Sequence, residues 1–226
     1  MGKKILITGG AGFIGSHIVK QLVSLGHDCK VLDNLSTGSM GNLSPLIDQN
    51  KIKFIEGSIT DQNVCEKAVE NVEIVFHLAA LGSVPRSINN PIATNEVNVS
   101  GFLNVLFSAK ESGVKRVVFS SSSSVYGDDS HLPKREEVVG KPLSPYAISK
   151  IANEWYGLNF SELYDIDVIG LRYFNVFGPN QNPEGPYAAV IPIFVENMIQ
   201  NRPCYINGDG TITRDFTYVQ NVVDAN

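Results

Sequence analysis

The chain has 226 residues, of which 43% are hydrophobic and 18% charged, and its formal net charge is −5. That length and apolar share suit one domain, or one with a small appendage, and exclude wholesale disorder. The acidic balance, without a basic stripe, excludes duplex nucleic acid and an anionic membrane surface as main partners but leaves room for an anionic small molecule.

In chain order, residues 4–8 form an apolar run that meets glycines at once. It is too short for a signal segment and predicts a first strand. Helical periodicity over 13–25 leads to strands at 28–32 and 52–56, then a helix at 62–69 and a strand at 73–78. A helix at 97–112, a strand at 116–120, a helix at 145–164 and a strand at 167–173 follow. Apolar strands alternating with amphipathic helices predict parallel strands covered on both faces. Right-handed crossovers then give a doubly wound α/β sheet of the Rossmann type. After Tyr173 the texture changes. Residues 175–186 predict a loop, 190–200 a helix, and 205–212 and 216–219 short strands. The chain thus divides into a dinucleotide-binding domain at 1–174 and a partial, smaller substrate lobe at 175–226.

Cys29, Cys65 and Cys204 are scattered with no CxxC pair. They predict reduced thiols and a cytoplasmic setting, not a disulfide frame or zinc site. No apolar run reaches the ~18 residues of a membrane span. No pair among His17, His27, His77 and His131 has metal-ligand spacing, so no metal is expected.

Thr8-Gly9-Gly10-Ala11-Gly12-Phe13-Ile14-Gly15 follows the first strand and opens a helix. Glycines at 9, 12 and 15 suit a tight turn, close approach to a pyrophosphate and close helix–strand packing. The helix N-terminus would then face the phosphates with its N–H groups; the alternative is a plain turn. The second strand closes on Asp33, 18 residues after Gly15. A carboxylate there accepts from both ribose hydroxyls and repels a 2′-phosphate. No arginine follows in Asn34-Leu35-Ser36-Thr37-Gly38, so NAD is favoured over NADP. The bland reading of Asp33 is a solvated strand end.

Tyr146 and Lys150 stand four apart in a helical pattern and share one face. A neighbouring ammonium favours the phenolate and predicts a Tyr146 pKa below its reference of ~10. Such a phenol is a usable acid/base at neutral pH. By itself the spacing is common, and a surface pair is the default. Serines at 120–124 change this, because they directly follow the apolar Val117-Val118-Phe119. They put hydroxyls at the carboxyl end of a strand, where open α/β sheets bind ligands.

These motifs, with His77-Leu78-Ala79-Ala80 and Arg172-Tyr173-Phe174-Asn175-Val176-Phe177-Gly178-Pro179, resemble the extended short-chain dehydrogenase/reductase family. Within it the chain resembles the UDP-hexose 4-epimerases. More narrowly it is similar to the UDP-N-acetylglucosamine 4-epimerases of bacterial surface-polysaccharide pathways. Ala80-Leu81-Gly82-Ser83-Val84-Pro85-Arg86-Ser87 and Tyr205-Ile206-Asn207-Gly208-Asp209-Gly210 carry that narrower likeness, with Pro186-Tyr187-Ala188-Ala189-Val190-Ile191-Pro192.

The resemblance spans the whole chain. It implies an isomerase that keeps NAD bound and inverts C4 of a UDP-sugar, most closely in the UDP-GlcNAc/UDP-GalNAc pair. It also implies a homodimer built on the helices at 97–112 and 145–164. Tyr146, Lys150 and Ser122 are its implied catalytic set. Tyr146 takes the proton of the sugar 4-hydroxyl, Ser122 hydrogen-bonds that oxygen, and Lys150 holds the phenolate and the nicotinamide ribose. A transient 4-keto sugar then turns about its link to UDP. The implied cofactor contacts begin with Gly9, Gly12, Phe13, Ile14 and Gly15, then Asp33, Asn34, Ser36, Thr37 and Gly38. Ser58 and Ile59 would border the adenine, Leu78, Ala79 and Ala80 the cofactor's length, and Phe174 the nicotinamide. The implied substrate contacts are Ser83, Ser122, Ser123, Tyr146, Asn175, Ala189, Val190, Tyr205 and Asn207, with Arg214 on the diphosphate. The plain alternative for Arg214 is an ion pair with Asp215 or another acid.

Two departures matter. Gly57-Ser58-Ile59 stands where the family has Gly-Asp-Ile, so the reach to the adenine amino group is shorter. Family members also continue past Asn226, so the substrate lobe is expected to be partial. Related dehydratases and decarboxylases place an acid before Val-Tyr-Gly, where this chain has Ser123 and Ser124. UDP-glucose/galactose and UDP-glucuronate stay open as sugars. So does a catalytically impaired NAD-binding regulatory module.

Overall fold

The computed structural model describes residues 2–184, 189–206 and 208–226. Its main sheet contains β1 (Lys4–Thr8), β2 (Asp28–Asp33), β3 (Ile52–Glu56), β4 (Ile74–His77), β5 (Arg116–Ser122) and β6 (Asp167–Tyr173). They pair in the order β3-β2-β1-β4-β5-β6, every pair parallel. The helices between them are α1 (Phe13–Ser24), α2 (Ser44–Asp48), α3 (Gln62–Val69), α4 (Val84–Asn89), α5 (Pro91–Asn95), α6 (Gly101–Glu111) and α7 (Pro145–Leu163).

Strand sequences such as Ile5-Leu6-Ile7 are continuously apolar because both faces are covered. Leu6, Leu32, Val75 and Val117 pack with Phe102, Val105 and Leu106 of α6 and Phe160 of α7. Ile5, Ile7, Val31, Phe76 and Val118 pack on the opposite face with Ile18 and Val19 of α1. Each such fully buried side chain stabilises the fold by roughly 1.5–3 kcal/mol relative to exposure. This is the doubly wound Rossmann-type sheet. Strand order reverses between β1 and β4, and that is where open α/β sheets form a binding crevice at their carboxyl ends.

Several local features depart from the periodic reading, the unpredicted α2 among them. The helix expected at 97–112 opens as a π turn, Glu96–Ser100, before α6 continues it. The short α4 and α5 are set by caps, not by apolar period: Ser83 accepts from the Arg86 N–H and Asn90 from the Ala93 N–H. Past β6, the expected loop contains β7 (Val176–Phe177), followed by α8 (Val190–Ile199), β8 (Thr217–Tyr218) and α9 (Val219–Ala225). β7 and β8 form a parallel pair, and Val223 of α9 packs into the α1 side of the core. The strand expected at 205–212 does not form among its described residues. Gly208 and Gly210, at φ +79° and +80°, turn the chain there instead. Among the described residues, no helix is long and apolar enough to cross a membrane.

Candidate active site

A cleft of about 430 Å³ runs along the carboxyl ends of β1, β2, β4 and β5. β1 ends on Thr8, in register with Leu32 of β2 and His77 of β4. Gly9 follows at φ +69°, and a Cβ there would sit 2.6 Å from the Ala79 backbone nitrogen. A Cβ on Gly15 would lie 2.2 Å from the Gly9 carbonyl oxygen. These two glycines are required by the packing of the chain on itself. Gly12 is different, since its Cβ would meet only that same oxygen, at 3.2 Å. Gly12 is the N-cap of α1, makes no side-chain cap bond, and is followed by no acid in the first turn. The positive end of α1 is thereby open to an anion beside Phe13 and Ile14, which both line the cleft.

Asp33 is 8% exposed and lines the same cleft. Its Oδ2 accepts from the Ala11 N–H at 2.9 Å and its Oδ1 from the Leu35 N–H at 2.8 Å. The carboxylate therefore ties the glycine turn to β2. Each oxygen keeps acceptor capacity for a diol. An open anion site at one point and a diol acceptor at another fit NAD. Asp33→Ala is expected to weaken NAD about tenfold and to narrow its margin over NADP. Fluorescence titration of both dinucleotides checks this, because the ratio cancels any general loosening. An equal loss for both would remove the ribose role.

The reacting end of the cleft is set by α7. Ser144 Oγ accepts from the Ala147 N–H at 3.1 Å and Pro145 occupies the first turn, which fixes the helical frame. Tyr146 and Lys150 consequently face the end of β5. Lys150 is 2% exposed, and its Nζ donates to the Ser120 carbonyl at 2.7 Å. Burial lowers its pKa to about 8. The ammonium lies 5.9 Å from the centre of the Tyr146 ring. The depressed phenol expected from the sequence is not found. Burial pushes Tyr146 above its ordinary value, with a hydrogen bond from Ser122 opposing. The physical reason is desolvation of the phenolate, while Lys150 directs its proton to Ser120. Ser122 ends β5 and accepts from the Ser124 N–H at 3.1 Å.

His77 is 2% exposed and its Nδ1 lies 2.9 Å from the Thr8 hydroxyl. Burial and then Lys150 lower its pKa to about 3. Unfolded chains therefore bind more protons than folded ones between about pH 6.5 and about pH 3. Stability present above that window is expected to fall as acid is added through it, at up to ~1.4 kcal/mol per pH unit. Urea midpoints across the window check this. His77→Gln should flatten the slope, and a slope unchanged by that substitution would count against it.

The structure brings most of the expected residues together. The five turn residues line the cleft, as do Asp33, Asn34, Ser36 and Thr37, then Ser58, Ile59, Leu78, Ala79 and Ala80. Ser122, Tyr146, Lys150 and Asn175 complete its far end. Gly38 instead packs on the turn from behind, where a Cβ would lie 2.8 Å from the Ala11 carbonyl carbon. Phe174 stacks near Tyr126 at 5.8 Å and lines a separate cavity of about 760 Å³. Tyr173, the last residue of β6, lines both cavities, whereas Phe174 lines only the second, where its ring packs by Tyr126. Ser83 uses its hydroxyl to cap α4, and Ser123 opens a 3₁₀ turn. Ala189, Val190, Tyr205 and Arg214 are exposed and lie outside the cleft lining, because α8 buries no residue that would draw this segment inward. Arg214 donates to the Thr213 carbonyl at 2.8 Å, and among the described residues no ion pair joins it to Asp215. Asn207 lies outside the described residues, as do Pro186, Tyr187 and Ala188.

One contributor was not legible in the sequence. Asn98, 1% exposed in the π turn, accepts from the Leu81 N–H at 2.7 Å and donates to Ser149 Oγ at 3.1 Å. It fixes the Leu81 wall of the cleft against α7, and an amide inside an apolar helical pattern is its only sequence signal. Among the described residues, no group of three or more His, Cys, Asp or Glu is placed to hold a metal.

Comparison with known proteins agrees with this geometry. Residues 5–226 match the model of the NAD dependent epimerase/dehydratase family. The UDP-N-acetylglucosamine 4-epimerase of Methanobrevibacter ruminantium M1, solved in complex with UDP-N-acetylmuramic acid, superposes with a TM-score of 0.95 at 42% identity. The match covers 100% of this chain and 72% of that one. The UDP-glucose 4-epimerase of Mycolicibacterium smegmatis is 41% identical over 98% of this chain and 71% of its own. The dTDP-D-glucose 4,6-dehydratase of Mus musculus is 37% identical over 99% of this chain and 63% of its own. The glycine turn, the cleft-lining Asp33 and the Tyr146–Lys150 face are thus found in a chain that belongs to the NAD-dependent epimerase/dehydratase family, as an isomerase of the extended short-chain dehydrogenase/reductase type.

Proposed function

We propose that the chain is a UDP-sugar 4-epimerase acting on the UDP-GlcNAc/UDP-GalNAc pair. The observation that carries this reading is the convergence of Ser122, Tyr146 and Lys150 at one end of the cleft. Serines, not carboxyls, follow at 123 and 124. Bound NAD supplies a hydride acceptor for the sugar C4 and a donor for its return. The glycine turn and the α1 N-terminus hold the pyrophosphate, and Asp33 holds the adenosine ribose. Tyr146 accepts the proton of the 4-hydroxyl. Ser122 donates to that oxygen as charge develops on it. The Lys150 ammonium, held on the Ser120 carbonyl 5.9 Å from the Tyr146 ring centre, would hold the nicotinamide ribose. After the keto sugar has presented its other face, Tyr146 returns the proton. No net oxidation results, so the cofactor has no need to leave.

The dehydratase alternative requires an acid/base to eliminate water after C4 oxidation. Serine hydroxyls have no useful acid–base pKa near neutrality, so the keto sugar has only reduction open to it. The choice of the N-acetylated sugar rests on the local likeness at 80–87 and 205–210. Residues 1–174 serve in this reading as the NAD domain and 175–226 as the start of the sugar-binding lobe. α6 and α7 carry a homodimer contact, supported by the exposed Phe107, Ile148 and Trp155. The setting is cytoplasmic polysaccharide biosynthesis. The deciding experiment incubates the purified protein with UDP-GlcNAc, UDP-glucose or UDP-glucuronate and identifies products by NMR. UDP-GalNAc formed fastest is the expected result. Bound NAD with no epimer from any UDP-hexose would instead indicate a regulatory module.

A further inference from the structure

Three consecutive serines close β5, and the first two are bonded to successive turns of α7. Lys150 Nζ donates to the Ser120 carbonyl at 2.7 Å. Ser122 lines the cleft with Tyr146, and its hydroxyl favours the ionised phenol. The Ser121 hydroxyl donates to Glu154 Oε1. Residues 146, 150 and 154 recur every four positions, so they stack along one helical face. The face that carries the phenol and the ammonium therefore continues one turn further, to a carboxylate.

That carboxylate is itself clamped. Arg172 Nε donates to Glu154 Oε1 at 2.9 Å and Nη2 to Oε2 at 2.8 Å, a two-pronged fork. Arg172 stands directly opposite Ser121 in the β5–β6 register. Its Nη1 donates to the Glu136 carbonyl at 3.0 Å, and its guanidinium lies 4.7 Å from the centre of the Tyr126 ring. The two side chains are only 24% and 14% exposed, for Glu154 and Arg172 respectively. An exposed pair would hold nothing firmly. This one is shielded, bidentate and stacked, and it bolts β5, β6 and α7 together at the strand end that presents Ser122.

We infer that Glu154 and Arg172 are positioning residues for the Ser122–Tyr146–Lys150 centre, acting through the hydroxyl of Ser121. Neither lines the cleft. They hold the last turn of β5 in the one register where its hydroxyl and carbonyl meet α7. The inference rests on the epimerase reading for its kinetic consequence but not for its geometry.

The test uses Ser121→Ala, Ser121→Thr and Glu154→Gln in the full chain with NAD bound. Ser121→Ala and Glu154→Gln are expected to lower kcat on UDP-GlcNAc about tenfold with KM little changed, and Ser121→Thr to restore most of it. A second measurement needs no turnover. The Tyr146 phenol is titrated as the ultraviolet difference between each protein and its Tyr146→Phe partner. Loosening Ser122 should move that titration upward in Ser121→Ala and Glu154→Gln, because its hydrogen bond favours the phenolate. Lys150 on the same helical face and the neutral His77 that interacts with it from β4 are present in every variant, and Ser121→Ala also keeps the Glu154 and Arg172 charges that Glu154→Gln alters. Unchanged kcat and an unchanged Tyr146 titration in folded variants would reduce the pair to a structural brace. Should the parent turn over no UDP-sugar, the epimerase reading fails and the titration still decides the positioning role. Should Glu154→Gln fail to fold, Ser121→Ala, which deletes one hydroxyl, carries the comparison.

Discussion

Tyr146→Phe is expected to lower epimerase turnover by about 10³-fold while NAD stays bound and the thermal midpoint stays near that of the parent. The substitution deletes one oxygen and leaves the ring packed where it is. Lys150 is not orphaned by the change, because its Nζ is bonded to the Ser120 carbonyl and not to the phenol. Ser122 likewise keeps its contact with the Ser124 N–H. The lost oxygen is one whose burial disfavours its ionised form, so its removal leaves no unpaired charge behind. What disappears is the group that the epimerase reading assigns to take and return the proton of the sugar hydroxyl. Product formation by NMR, with NAD released on denaturation as the control, measures both sides. A variant within tenfold of the parent would take Tyr146 out of the mechanism.

Gly15→Ala is expected to cause the second large loss, in cofactor affinity and not in chemistry. The added Cβ would sit 2.2 Å from the Gly9 carbonyl oxygen and 2.8 Å from the Gly10 Cα. Both are backbone atoms of the glycine turn, so no flexible side chain can yield. The turn must open, at a cost of ~1–3 kcal/mol in overpacking or more. An opened turn no longer aims the α1 terminus at an anion. NAD should bind about 100-fold more weakly, by the same reasoning that places its pyrophosphate there. Gly26→Ala is the matched control. It sits at φ +82° with nothing within 4 Å of an added Cβ, so it carries backbone strain of only ~1–2 kcal/mol. Calorimetry of NAD binding separates the two. Equal affinities in both variants would detach the turn from the cofactor.

Much of this site was readable before any coordinates. Ile5-Leu6-Ile7 and Val117-Val118-Phe119 announce parallel strands because a strand covered on both faces must be apolar at every position. Gly9 and Gly15 are legible from spacing because sterics admit nothing larger. Other residues were not legible. Phe174 adjoins Tyr173 in a motif that reads as one unit, yet its ring packs by Tyr126, a residue distant in sequence, in a different cavity. Arg214 sits in a motif that suggests a phosphate contact, but its segment does not pack onto the cleft. Asn98 and Gln62 look alike as amides in helical patterns; only Asn98 bonds the cleft wall at Leu81.

The sequence by itself determined the six strands of the main sheet and the long helices between them, the glycine turn, Asp33 at the end of β2, and the shared helical face of Tyr146 and Lys150. These follow from periodicity and local sterics, which act over a few residues. Only the tertiary structure decided that the Lys150 proton goes to Ser120, that burial raises the phenol, and that Glu154 is gripped by Arg172. Desolvation and hydrogen-bond partners are supplied by segments distant in sequence, and no local pattern encodes which distant atoms will arrive.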